Sequence, residues 1–145
     1  MRTQRYAWGS HTFTVNDDLV DHSSIVLIAP TAADGVSPWS LTLARDVSEV
    51  PLKGYVDGAL RELAVSLSGF RLMSRDDKAT LGGLPAMRIT HQALTPEGRE
   101  VFQFQGFGAD GRHHGIVVVT ATALAGHEAP AKAAFEQLWM SWRAV

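Results

Sequence analysis

The sequence predicts an α+β fold, a curved antiparallel β-sheet with two helices packed on one of its faces. Three observations predict it. Apolar residues recur at three- and four-residue spacing over 52–67 and again over 130–142. Between those stretches the apolar period drops to two. Turn residues then punctuate the period-two region at Gly82-Gly83, Pro96-Glu97-Gly98 and Asp110-Gly111. With 145 residues, the chain fits one domain spanning 1–145 and is long enough to bury a core without staples.

The first expected strands are the apolar runs 23–30 and 39–46, joined by a loop at residues 31–38. A helix follows, because Leu52, Tyr55, Val56, Ala59, Leu60, Leu63 and Leu67 form one stripe while Lys53, Asp57, Arg61 and Glu62 take the opposite side. Ser48 offers a start signal, Pro51 suits a first-turn position lacking an amide hydrogen, and Gly69 suits a left-handed stop. Four strands then run from Phe70 to Ser74, Ala86 to Leu94, Glu100 to Phe107 and Gly115 to Ala123, the last rich in valine and threonine. Residues 130–142 close the order as a second helix, with Pro130 at its start and Ala131, Ala134, Phe135, Leu138 and Trp142 on one side.

Because successive strand residues point to opposite sides, the residues can be sorted by face. Leu41 and Leu43, with Phe102 and Phe104, suit the core. That turns Ser40, Thr42, Ala44, Gln103 and Gln105 onto the other face. In the first strand the alternation fails, since Ile25, Val26, Leu27 and Ile28 are all apolar, as in a strand covered on both sides. Joined by Ser24, Val26 and Ile28, the open face mixes apolar area with small residues, hydroxyls and amides, a surface suited to an apolar helix. An ordinary solvated sheet face fits the same pattern, and spacing does not choose between them.

Composition excludes several classes. There is no cysteine, hence no disulfide, thiolate metal site or cysteine nucleophile. The 13 basic and 15 acidic residues are scattered, leaving a net charge of -2 and no footprint for nucleic acid. His113 and His114 are neighbours that point opposite ways in a strand, and His91 and His127 have no partner at ligand spacing, so no metal or other cofactor is expected; these histidines are read as surface or capping groups. Asp17-Asp18 and Asp76-Asp77 are read as turn residues, not as a catalytic carboxylate pair. No nucleophile elbow, phosphate loop or dinucleotide fingerprint occurs, and the expectation is a binding protein and not an enzyme. The first residues carry no apolar signal core and no membrane span, which makes the bacterial cytoplasm the expected address, with no direct membrane insertion.

The chain resembles a known group along nearly its whole length. The residues that carry the resemblance are Asp21-His22-Ser23-Ser24-Ile25 with Pro30, Ser40 to Asp46, Tyr55-Val56, Leu67 to Leu72, Glu97-Gly98-Arg99, Gln105-Gly106-Phe107, Thr120 to Thr122 and His127 to Pro130. In their order and spacing they are similar to the DcrB-type family with a PsbP-like or Mog1-like fold, and within it to the Eag chaperones of type VI secretion effectors. The resemblance implies a homodimer that binds and shields the N-terminal transmembrane segments of a secreted effector before loading and export. It implies that Gln105 hydrogen-bonds the bound helix and that Ser24, Val26, Ser40 and Ala44 line the groove. Ala44 stands where a serine is expected before Arg45-Asp46, and Thr42 or Gln103 is then the substitute hydroxyl or amide. The alternative is a small-ligand or partner-binding module of the same fold with no link to secretion.

Overall fold

The computed structural model describes residues 3–8, 11–16, 24–29, 37–110 and 114–143. Two strands, β1 (Thr3–Trp8) and β2 (His11–Asn16), pair antiparallel as a sheet of their own. The main sheet contains β3 (Ser24–Ile28), β4 (Trp39–Val47), β5 (Ser68–Leu81), β6 (Leu84–Leu94), β7 (Glu100–Ala109) and β8 (Gly115–Leu124), in the spatial order β3-β4-β8-β7-β6-β5. Every neighbouring pair is antiparallel. Helix α1 (Leu52–Ser66) precedes β5 and α2 (Glu128–Ser141) follows β8. The expected α+β class, antiparallel sheet and two helices are all present. Pro30 and residues 31–36 of the expected loop, with His113 and Asp17-Asp18, lie outside the described residues.

Helix α1 begins at Pro51, whose φ of -57° suits the entry, while the Ser48 hydroxyl closes a tight turn just before it. That hydroxyl accepts from the Val50 amide at 3.2 Å and donates to the Val50 carbonyl at 2.8 Å, so it shapes the approach and does not cap the helix. Its end differs from the expected glycine stop. Leu67 is already extended, and Gly69, at φ +63°, lies one residue inside β5 where the register with β6 shifts between Ser68 and Arg71. The left-handed glycine therefore makes a β-bulge. Arg75 of β5 ties the helix down by meeting Asp57 at 2.8 Å, with Lys53 on the same carboxylate at 3.1 Å. Those hydrogen bonds, Arg75 first and then Lys53, hold the Asp57 carboxyl below its ordinary value.

Strand β5 is much longer than the expected Phe70 to Ser74, and Asp76-Asp77 belong to it and not to a turn. It returns through Gly82 and Gly83, at φ +58° and +84°, the two left-handed positions that a tight two-residue hairpin requires.

Cross-strand partners share a face, which fixes where each helix sits. Met87, Phe107, Val118 and Ala44 are successive partners across β6, β7, β8 and β4, and α1 packs there through Val56 and Tyr55. Arg88, Gly106, Val119 and Leu43 form the next row, on the opposite face, and that row belongs to α2 with Phe135 and Trp139. The two helices thus cover opposite faces, and not one face as the alternation suggested. Two cores result. One joins α2 to β4 and β8, while the other joins α1 to Met87, Ile89 and Phe107. The cause is visible in β7, where the apolar parity reverses: Phe102 and Phe104 face α2, and after Gly106 the next ring, Phe107, faces α1. Gly106 is required for this. A Cβ there would collide with the Trp139 ring, so only glycine lets α2 lie this close to the sheet. Arg88 completes the seat, with its guanidinium 5.0 Å from the Phe135 ring centre, 5.2 Å from that of Trp139, and paired to Glu136.

Candidate functional site

Helix α1 lies mainly over β5, β6 and β7 and reaches only Val118 of β8 and, through Tyr55, Asp46 of β4, so among the described residues most of the β3, β4 and β8 part of its face has no helix over it. Three cross-strand rows run from the edge of the sheet toward α1. The first is Ser24, Ala44, Val118 and Phe107; the second Val26, Thr42, Thr120, Gln105 and Ile89; the third Ile28, Ser40, Thr122, Gln103 and His91. All eight residues expected on the open face, Ser24, Val26, Ile28, Ser40, Thr42, Ala44, Gln103 and Gln105, are brought together in these rows. Burial increases along each row, from exposed β3 through the half-buried hydroxyls to fully buried Ile89 and His91.

Polar groups along the rows bond to one another. The Gln103 amide donates to the Thr122 hydroxyl at 3.0 Å, and the Gln105 amide donates to Thr120 at 3.1 Å. The Gln105 oxygen in turn lies 3.0 Å from Nε2 of His91. His91 is only 1% exposed, packs its ring 5.2 Å from that of Phe70, and has no partner on Nδ1. It is a core residue, not the surface or capping group expected. Burial lowers its pKa, and the bond to Gln105 only partly opposes this.

The open area has definite limits. At the α1 end, Tyr55 donates a 2.7 Å hydrogen bond to Asp46, and burial, then this bond, raise the phenol well above its ordinary pKa. At the far end lies a cleft of about 390 Å³ between Ile28, Ser40, Thr122 and Leu124, with Glu97 and Arg99 on its rim. From Val118 to Leu124 is about 20 Å along the strand, and from β3 to β7 about 14 Å across. A helix with side chains is about 10–12 Å wide, so the area has the breadth of one helix.

The face assignment missed Thr120, Thr122 and His91. The two threonines alternate with Val119, Ala121 and Ala123 and could have been sorted by parity; the burial of His91 depends on Phe70 and on neighbouring strands, which no local pattern shows. Among the described residues no three His, Asp or Glu side chains gather as metal ligands, and no helix is long and apolar enough to cross a membrane.

The fold and site define a class, an α+β sheet protein with one helix on each face, each covering part of the sheet. Two solved structures are similar to the chain in fold. PA94 from Pseudomonas aeruginosa, described as a protein of unknown function and a candidate regulator, superposes with a TM-score of 0.81 at 22% identity, covering 100% of this chain and 99% of that one. LpqN of Mycobacterium tuberculosis, described as involved in cell envelope biogenesis, gives 0.56 at 14% identity, covering 98% and 90%. At these identities the likeness is one of fold. No family model and no curated protein matches the chain.

Proposed function

We propose that the half-open face receives an apolar helix, and that the chain is an Eag-type chaperone shielding the N-terminal transmembrane segments of a secreted effector in the cytoplasm. The observation that carries this reading is the β3 end of the open face, where Val26 and Ile28 are 57% and 63% exposed beside a floor of small and hydroxyl side chains. Small residues let a helix backbone approach closely, and the Gln and Thr groups offer hydrogen bonds to it. A membrane-spanning segment of about 20 residues is about 30 Å long, against about 20 Å of open face. One protomer would cover two thirds of it, which supports a second copy completing the groove.

The test is co-expression with a tagged segment of about 20 Leu and Ala residues, followed by purification without detergent. Recovery of a soluble complex is expected from the native chain, with loss on Val26→Asp. Recovery unaffected by Val26→Asp would remove this face from the site. No recovery at all would leave the small-ligand module as the better reading, with the cleft at Ile28 as its site.

A further inference from the structure

Within the half-open face the buried histidine has no assigned task. We infer that His91 is a positioning residue, fixing the Gln105 carboxamide so that its remaining N–H is held for an oxygen acceptor on the bound helix. This rests on the helix-binding reading above.

The bonding pattern determines the orientation. The nitrogen of the carboxamide faces the Thr120 hydroxyl at 3.1 Å, and its oxygen therefore faces His91 Nε2 at 3.0 Å. An oxygen only accepts, so Nε2 must carry the hydrogen and Nδ1 must be bare. The reverse arrangement turns the amide over and moves the imidazole hydrogen to Nδ1, where no acceptor lies within reach. Buried N–H groups without a partner are rarer and costlier than acceptors without one. The carboxamide is thus keyed in one orientation by a ring that is itself 1% exposed and packed on Phe70.

One amide hydrogen goes to Thr120, leaving the second for a visitor in the row that also holds Thr42 and Val26. The acceptor it suits is a carbonyl or hydroxyl oxygen. On an apolar helix that means a main-chain carbonyl bared beside a small residue, or a serine or threonine. Without His91 the carboxamide would be free to turn, and part of the time it would present its oxygen to that acceptor.

The experiment compares the native chain with His91→Leu, which fills the space without a donor, and His91→Gln, which can donate to the Gln105 oxygen. Nitrogen-15 spectra of the native protein should show a neutral ring with the hydrogen on Nε2; the other tautomer would overturn the inference whatever the binding. The probe is a labelled helix of about 20 Leu and Ala residues with one central serine. His91→Leu should weaken it about tenfold, the scale of one hydrogen bond, and His91→Gln should recover most of the loss. A folded His91→Leu that binds like the native chain would also overturn it. If His91→Leu does not fold, the tautomer and the binding by His91→Gln decide. Failure of the native chain to bind, with the expected tautomer present, would overturn the chaperone reading and leave the fixing of Gln105 by His91 intact.

Discussion

Along β8, the residues facing α2, namely Val117, Val119, Ala121 and Ala123, are at most 5% exposed, whereas Val118, Thr120, Thr122 and Leu124 on the other side are half-buried. The strand is one and the same, so its own propensity cannot account for the difference. What separates the two sides is the layer above each. On the α2 side the helix is driven close by Trp139 seated over Gly106, and the strand answers with small apolar residues. On the α1 side the helix reaches only Val118 of this strand, and the strand answers with hydroxyls, which tolerate both water and a partner.

The largest expected effect breaks the closed side. Gly106→Val places a side chain where the Trp139 ring lies, and overpacking of this kind against a rigid aromatic should cost about 3 kcal/mol or more, read as loss of the cooperative thermal transition. Gly106→Val combined with Trp139→Ala should recover part of that loss. A stable Gly106→Val chain would mean that α2 is not held against β7 as described.

On the half-closed side the cost is smaller. Gln105 lies on the open face as expected, but its oxygen satisfies His91 and its nitrogen satisfies Thr120. Gln105→Leu should cost about 1 to 3 kcal/mol, since it leaves the buried imidazole without its only partner, and adding His91→Leu should restore part of this by removing the orphan as well. Urea unfolding of the two variants measures both. An effect under about 0.5 kcal/mol would indicate that water already reaches the site.

The same histidine sharpens the comparison through pH. Burial lowers its pKa below the usual 6.5, so the unfolded chain takes up a proton before the folded one does. Its contribution is therefore complete above 6.5 and is lost as pH falls from there toward the depressed folded value. Asp57, held ionised by Arg75 and Lys53, adds no slope of its own in that window. Denaturant midpoints between pH 7 and 5 should fall for the native chain and stay flatter for His91→Gln. Equal slopes would show that the ring takes up its proton as readily in the fold as in the unfolded chain.

Much of this arrangement was legible. The stripe from Leu52 to Leu67 marks α1 because a helix shows its period locally, and strand parity placed the eight open-face residues together because pairing preserves parity across neighbours. What parity could not show is which helix covers which side, since β8 carries apolar residues in both phases at Ile116 to Val119 and β7 reverses phase at Gly106. Charge hid the second half of β5: Arg75, Asp76, Asp77 and Lys78 read as a turn, and Asp76 does bond to the Lys78 amide at 2.9 Å, but within an irregular edge strand. The β1–β2 pair was missed although Tyr6, Trp8, Phe13 and Val15 alternate about Gly9-Ser10. His91 was illegible for a different reason, because its burial is produced by Phe70 and Gln105 on the two neighbouring strands, which no local pattern sets beside it.

The smallest expected effect on stability tests the edge of the open side. Edge strands invite pairing with other chains, and proteins usually blunt them with charge, proline or bulges. Strand β5, at one edge, carries Arg71, Arg75, Asp76, Asp77 and Lys78 and three breaks in register. Strand β3, at the other, has no charged residue from Ser24 to Ile28. The contrast singles out β3 for pairing with a second copy. Ile28, 63% exposed, has little packing to lose, so Ile28→Lys should change stability by about 0.5 kcal/mol or less while introducing the charge that edge pairing avoids. Light scattering at tens of micromolar should give a dimer for the native chain and a monomer for the variant, with nearly equal melting temperatures. A native monomer would count against the dimer altogether, and a dimer that survives Ile28→Lys would move its interface away from β3.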